Sequence, residues 1–266
     1  MPRANRYWVD GAAYHLTHRC HDRAYLLRFA RDRDAYRSLL RDELRSSTVF
    51  LLNYTITSNH VHLLVTSDNA AATATLIQAV HGRFAESYNR RKGRQGAFWS
   101  DRYHATQIAD GAHLWACLAY IDLNMVRAGA VPHPREWPWT GWHELTGQRR
   151  RNRLIDRSAL LARLGGVRWS DFEARYRAFI DDTLMQDGSR RQREEKWTES
   201  IAVGDAEFVR RIEANLVATG RRSQLERRAM ADGVWILREN GVDYGERVRN
   251  GSQNSPEEVG SHVFPS

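Results

Sequence analysis

The sequence predicts an α+β fold of the ferredoxin-like kind, a β-α-β-β-α-β antiparallel sheet with its helices on one face. Three observations predict it. Short runs rich in Val, Ile, Leu and Tyr read as strands, two stretches carry apolar residues at helical period, and the two kinds alternate in that order. A further helix and a mainly helical C-terminal extension are expected beyond the sheet.

The first strand is expected at Ala13-Tyr14-His15-Leu16-Thr17-His18-Arg19, which alternates with period two. Residues 31–45 read as a helix because Tyr36, Leu39, Leu40 and Leu44 share a face, with Asp32 or Asp34 as its start. Residues 49–57 and 60–66 read as two strands meeting at the tight corner Ser58-Asn59. Residues 72–88 form a second amphipathic pattern through Leu76, Ile77, Val80 and Phe84, leading into the basic loop Asn89-Arg90-Arg91-Lys92-Gly93-Arg94. A fourth strand is expected over 98–108. The third helix is expected over 111–127, stopped by Gly129 and Pro132.

Beyond it, residues 131–146 are rich in Pro and Trp and read as an irregular linker strapped onto the domain. Gln148 to Arg153 holds four arginines and marks a boundary. Helices are expected over 154–164, 169–184, 205–216 and 223–240, and a charged hinge over 187–196. Residues 245–266 are expected to be disordered.

A chain of 266 residues can bury a substantial core. Forty Lys and Arg against 32 Asp and Glu give a net charge of +8, and a pI near 9.9 points toward a polyanionic partner such as nucleic acid. Two cysteines far apart make no disulfide framework, no secretory signal is recognisable, and no run approaches the roughly 20 apolar residues of a membrane span. A reduced, cytoplasmic protein is the expectation, with no membrane partner.

Side chains alternate on a strand, so His60 and His62 share one face. Two neighbouring imidazoles are half of a metal site, or two polar residues on the wet face of a sheet. His15, His18, His21 and Cys20 invite a zinc reading, but no second ligand pair stands at zinc-finger spacing. Tyr120 and Asn124 lie four apart on the third helix and are neighbours on its surface.

Taken together, His60-Val61-His62, the run Gly96-Ala97-Phe98-Trp99-Ser100-Asp101-Arg102-Tyr103-His104, and Tyr120-Ile121-Asp122-Leu123-Asn124-Met125-Val126-Arg127-Ala128-Gly129 resemble the single-tyrosine HUH transposases. Within these the likeness is to the transposase-like proteins associated with repetitive extragenic palindromes. It covers about residues 3–144, with a fainter echo at 197–204. The resemblance implies an HUH catalytic domain over 1–147, a basic, mainly helical region over 148–245 and a tail over 246–266. It implies one Mg²⁺ or Mn²⁺ held by His60, His62 and Asn124, and Tyr120 as nucleophile. Ligand type alone suits Zn²⁺ or another transition metal equally.

The implied substrate is single-stranded DNA near a hairpin, handled by a monomer or a homodimer. The implied reaction is strand transfer through a 5′-phosphotyrosine. Candidate DNA contacts are Arg83, Arg90, Arg91, Lys92, Arg94, Arg102 and Arg127, with Trp99 and Tyr103 as stacking platforms. Each cation could equally be an ordinary solvated side chain. His104 is expected to be structural or to touch DNA. Where the family often has Asn-Pro, this chain has Asn124-Met125. Two other readings stay open: a silent module that grips a DNA or RNA hairpin without cutting it, and a metal-dependent hydrolase of another class.

Overall fold

The computed structural model describes residues 8–186, 194–220 and 224–239. Residues 1–7, most of the charged hinge and the C-terminal tail lie outside them. The first six elements follow the expected order: β1 (Ala13–Arg19), α1 (Ala30–Arg45), β2 (Val49–Ile56), β3 (His60–Ser67), α2 (Ala70–Lys92) and β4 (His104–Ile108). They assemble as β2-β3-β1-β4 with every neighbouring pair antiparallel, the order of a ferredoxin-like sheet.

Three local expectations are corrected. Helix α1 begins at Ala30 after Phe29 rather than at Asp32 or Asp34; Asp32 is buried and accepts from Arg91. The fourth strand is five residues long, because 98–103 turns away from the ladder after a single bridge from Trp99 to Cys20. The third helix divides at Leu123 into α3 (Ala112–Asp122) and α4 (Asn124–Arg127). Backbone bonds from Leu123 to Ala119 and from Arg127 to Leu123 carry the axis across the break.

The remaining elements are α5 (Trp142–Leu145), α6 (Arg157–Arg163), α7 (Trp169–Gln186), α8 (Lys196–Glu199), β5 (Ala202–Gly204), α9 (Ala206–Ala218), β6 (Leu225–Ala229) and β7 (Trp235–Glu239). Residues 225–239 are therefore a β-hairpin and not the expected helix; Asp232 and Gly233, both at positive φ, turn the chain between its strands. Strand β5 joins β4 in parallel, pairing Gln107 with Ala202, and the sheet grows to seven strands in the order β2-β3-β1-β4-β5-β7-β6. One sheet thus runs across the Arg-rich stretch at 148–153.

The linker is strapped down as expected. Ile56 N–H donates to Trp139 O and Gly141 N–H to Tyr54 O, along the outer edge of β2. Two buried carboxylates fasten it. Glu144 accepts from Tyr54, Arg37 and the amides of Leu154 and Ile155. Asp122 accepts from Thr140, the Trp142 amide and the Tyr176 hydroxyl. Burial pushes the Asp122 carboxyl up to about 6 even though these bonds favour its charged form. No helix among the described residues is long and apolar enough to cross a membrane.

Candidate active site

The two faces of the sheet do different things. On β1, His18 points toward α1 and α2, where it meets His81, Trp99 and Tyr103. His15 points to the opposite face, toward α3, and there it meets His62 and Tyr120. The register pairs Thr17 with His62 and Arg19 with His60, which brings the candidate metal residues beside β1.

A chain of hydrogen bonds fixes the ring states. The carbonyl of Trp197 can only accept, so His15 Nδ1–H donates to it at 2.8 Å. His15 is fully buried; desolvation, outweighing that bond, lowers its pKa to about 3 and keeps it neutral. Its Nε2 is therefore an acceptor, and His62 Nδ1–H donates to it at 2.8 Å, with Thr17 Oγ1 at 3.2 Å as a second neighbour. His62 is left with its lone pair on Nε2, which faces the Asn124 side-chain amide at 3.0 Å. Burial above all, and then His60, His15, Arg19 and Arg127, hold His62 well below the usual histidine range.

His60 is set in the same way. Asn59 donates through Nδ2 to Arg23 O and so turns its Oδ1 toward His60 Nδ1, at 2.7 Å. Thr57 Oγ1 lies 2.9 Å from the same nitrogen. The lone pair of His60 is thereby assigned to Nε2, and its ring lies edge-on to His62 at 4.8 Å.

Both imidazoles are thus in the tautomer that offers Nε2 to a cation, supported from behind as ligand histidines commonly are. Asn124 completes the set if its amide turns its oxygen inward. This donor set fits one divalent cation. Among the described residues no group of three His, Cys, Asp or Glu is placed to hold a metal ion, so a site here depends on that amide.

Tyr120 stands over this cluster. Its ring centroid is 5.7 Å from both His15 and His62 and 5.8 Å from Trp197, and it is 4% exposed. The Arg127 guanidinium lies 4.9 Å from the Tyr120 ring centroid, while donating to Tyr120 O and Glu194. Thr106 Oγ1 lies within bonding reach of the Trp197 and Ser200 carbonyls, and His104 reaches Thr106 and Ser200 O. His104 here ties β4 to the segment that carries Trp197.

The structure gathers His60, His62, Asn124, Tyr120 and Arg127 and leaves the other candidates elsewhere. Arg83 pairs with Glu43, Arg90 with Glu86 and Arg91 with Asp32. Arg94 donates to the carbonyls of Gly96 and Ala97, closing its own loop. Arg102 is exposed. Trp99 and Tyr103, stacking platforms on the sequence reading, sit inside the aromatic cluster on the helix side of β1; Trp99 donates to His81 O and Tyr103 is buried. Lys92 lies 5.0 Å from the Phe29 ring.

Sequence reasoning missed His15 as the support of His62, although the period-two rule puts His15 and Thr17 on one face of their strand. Trp197 gave no comparable signal, because its part is played by a backbone carbonyl. A cleft among the described residues, lined in part by Asp10, Asp110, Arg163 and Phe208, contains none of the candidate metal or catalytic residues.

Residues 8–124 match the family model described as "Transposase IS200 like". Among solved structures, a REP-associated tyrosine transposase bound to a REP hairpin aligns at 18% identity and a TM-score of 0.48, over 60% of this chain and 96% of that one. A candidate transposase from Deinococcus radiodurans aligns at 19% identity and a TM-score of 0.33, over 44% and 92%. No curated protein is similar enough to count as a relative.

Proposed function

We propose that the chain, whose residues 8–124 match the IS200-like transposase model, is a transposase of that kind, which cleaves single-stranded DNA near a hairpin and transfers the cut strand through a covalent link to Tyr120. One observation carries the reading: Tyr120 and Asn124, from consecutive helical turns, meet His62 on the face of the sheet opposite α1 and α2, with Asn124 hydrogen-bonded to it.

In this reading the Tyr120 phenol oxygen attacks the scissile phosphorus as its proton leaves, and the P–O3′ bond breaks. The departing 3′ oxygen takes up a proton, leaving a 5′-phosphotyrosine and a free 3′-OH. The phosphodiester's energy is retained, so a second 3′-OH can displace the tyrosine and regenerate the phenol. His60, His62 and Asn124 would hold a Mg²⁺ or Mn²⁺ ion, which when bound supplies Lewis-acid neutralisation of phosphate charge. His15 and Thr17 hold the His62 ring. Arg127, beside the Tyr120 ring, adds a fixed positive charge where an anionic phosphate would arrive.

The experiment incubates the full chain and its Tyr120→Phe variant with labelled hairpin-bearing single-stranded DNA and Mg²⁺ or Mn²⁺. An SDS-resistant adduct that needs metal and disappears in the variant is the expected result. Cleavage that survives Tyr120→Phe would overturn it in favour of a hydrolase. The burial of Tyr120 beneath the Trp197 ring favours a second reading, a module that grips a hairpin without cutting it. Tight DNA binding with no adduct under any metal would select that one.

A further inference from the structure

The connection from β1 to α1 carries two large aromatic side chains that the core does not use. Tyr25 is 68% exposed and Phe29 is 49% exposed. Single exposed apolar residues are ordinary on any protein. Here two of them stand on one connection, and that connection is pinned. Cys20 N–H donates to Asn59 O, Leu27 N–H donates to Ser58 O, and Asn59 Nδ2 donates to Arg23 O. Leu27 is fully buried beneath them, and Arg33 donates to the carbonyls of Leu27 and Arg28. The anchor points Ser58 and Asn59 immediately precede His60, so the aromatic pair is held beside the strand corner that leads into the candidate active site.

Positive charge surrounds the Phe29 ring. Lys92 Nζ lies 5.0 Å from the Phe29 centroid, the Arg28 guanidinium 5.4 Å and that of Arg31 6.0 Å. Arg23 is exposed on the same connection. Asp32 is buried and bonded to Arg91, Asp34 accepts from Trp139, and Asp22 is exposed beside His21; the four cations outnumber the two exposed carboxylates, which leaves the connection net positive.

We propose that Tyr25 and Phe29, with Arg23, Arg28, Arg31 and Lys92 around them, form a stacking and phosphate-binding platform for unpaired nucleotides of the DNA strand that enters the site. The inference rests on the reading of the chain as a single-stranded DNA enzyme. Exposed rings supply π-faces on which any base stacks, and flanking cations follow the backbone. Paired bases inside a duplex offer no free face to these rings, so the platform selects the single-stranded flank over the hairpin stem.

The test uses the full chain in the Tyr120→Phe background with a chelator present, so that neither cleavage nor metal enters the measurement. Three fluorescein-labelled probes are compared: a blunt DNA hairpin, the hairpin with an oligothymidine extension, and that extension with abasic sites. Tyr25→Ala combined with Phe29→Ala should weaken binding of the extended hairpin roughly tenfold, about 1.4 kcal/mol. Blunt-hairpin affinity should change by less than about twofold, within the effect expected of truncating exposed side chains. The abasic extension should bind the parent as weakly as the intact extension binds the variant, and Tyr25→Phe with Phe29→Tyr should restore affinity.

Both positions are exposed, so the variants should melt with the parent. Equal binding of the extension by parent and variant overturns the platform, as does an equal loss for blunt and extended probes. A chain that makes no Tyr120 adduct yet keeps the extension-specific loss refutes the catalytic reading alone. A chain that makes the adduct without that loss refutes the platform alone.

Discussion

Replacing His15 by alanine should damage stability and the metal residues together, by amounts that follow from its contacts. The ring is fully buried, donates to Trp197 O, accepts from His62 and stacks on His62 at 5.0 Å. Truncation leaves a cavity, worth about 2 kcal/mol for a side chain of this size. It also removes two buried hydrogen bonds, at roughly 1 kcal/mol each, the low end of the usual range. The low end applies because each stranded group keeps a partner: Thr17 Oγ1 for His62 and Thr106 Oγ1 for Trp197 O. A loss of about 3–4 kcal/mol is expected, which a domain of typical stability survives. With His62 no longer held from behind, Mn²⁺ affinity should fall by roughly 10- to 100-fold. Urea unfolding measures the first quantity, and titration of Mn²⁺ followed by electron paramagnetic resonance the second. A stability loss below about 1 kcal/mol, or Mn²⁺ affinity within about twofold of the parent, would refute the claim that His15 orients His62.

The metal residues themselves predict ligand-linked stability. Mn²⁺ at a hundred times its dissociation constant should stabilise the parent by about 2.7 kcal/mol. Thermal melting should show no such gain in His62→Ala or Asn124→Ala, and a gain that survives both places the ion elsewhere. Stability should also rise with pH between about 4 and 6. His15, lowered to about 3, and His62, also lowered, stay neutral when folded, whereas both take protons when unfolded below 6.5. Asp122, raised to about 6 from 3.8, opposes them, because the folded state then holds the extra proton. Two lowered histidines against one raised carboxyl leave a net rise with pH; urea midpoints that are flat or falling over this range would contradict it. Gly141→Ala should cost about 3 kcal/mol or more by chemical denaturation, since the added Cβ would run into Asn53 Oδ1. That amide also donates to Leu118 O and cannot readily withdraw; near-native stability would show that it does.

The four-stranded sheet was legible because short runs rich in Val, Ile, Leu and Tyr, buried on both faces in the fold, are separated by helices with one apolar face. His60 and His62 could be placed on a shared face because side chains alternate along a strand. What the residues could not convey were contacts made by backbone or between distant segments. Trp197 reaches the site through its carbonyl, 182 positions from His15. The hairpin over 225–239 reads as helix in the sequence because Leu225 to Ala229 is exposed along almost all its length and offers no alternation of burial. The basic loop after α2 shows the converse limit. Charge is visible in a sequence, but whether Arg91 meets a phosphate or the buried Asp32 depends on a neighbour 59 residues away.

The sheet's continuity makes truncation after residue 147 an informative experiment. The resemblance covers only the first half, and a free-standing catalytic domain would be the natural inference from it. Yet Phe172, Tyr176, Trp197, Val203 and Ile236, each 1% exposed or less, belong to the same core cluster as β1, β2 and β3. Cutting at 147 would strip the β5 edge from β4, leave Asp122 without the Tyr176 hydroxyl and leave His15 Nδ1–H without its carbonyl. Losing the partners of several large buried side chains costs about 2–5 kcal/mol for each, well beyond the stability of an ordinary domain. The fragment should therefore be unfolded or aggregated, by circular dichroism and urea titration, while residues 1–239 unfold cooperatively. A fragment that unfolds cooperatively at the full chain's midpoint would mean that the second half only rests on the first, and that His62 is positioned without Trp197.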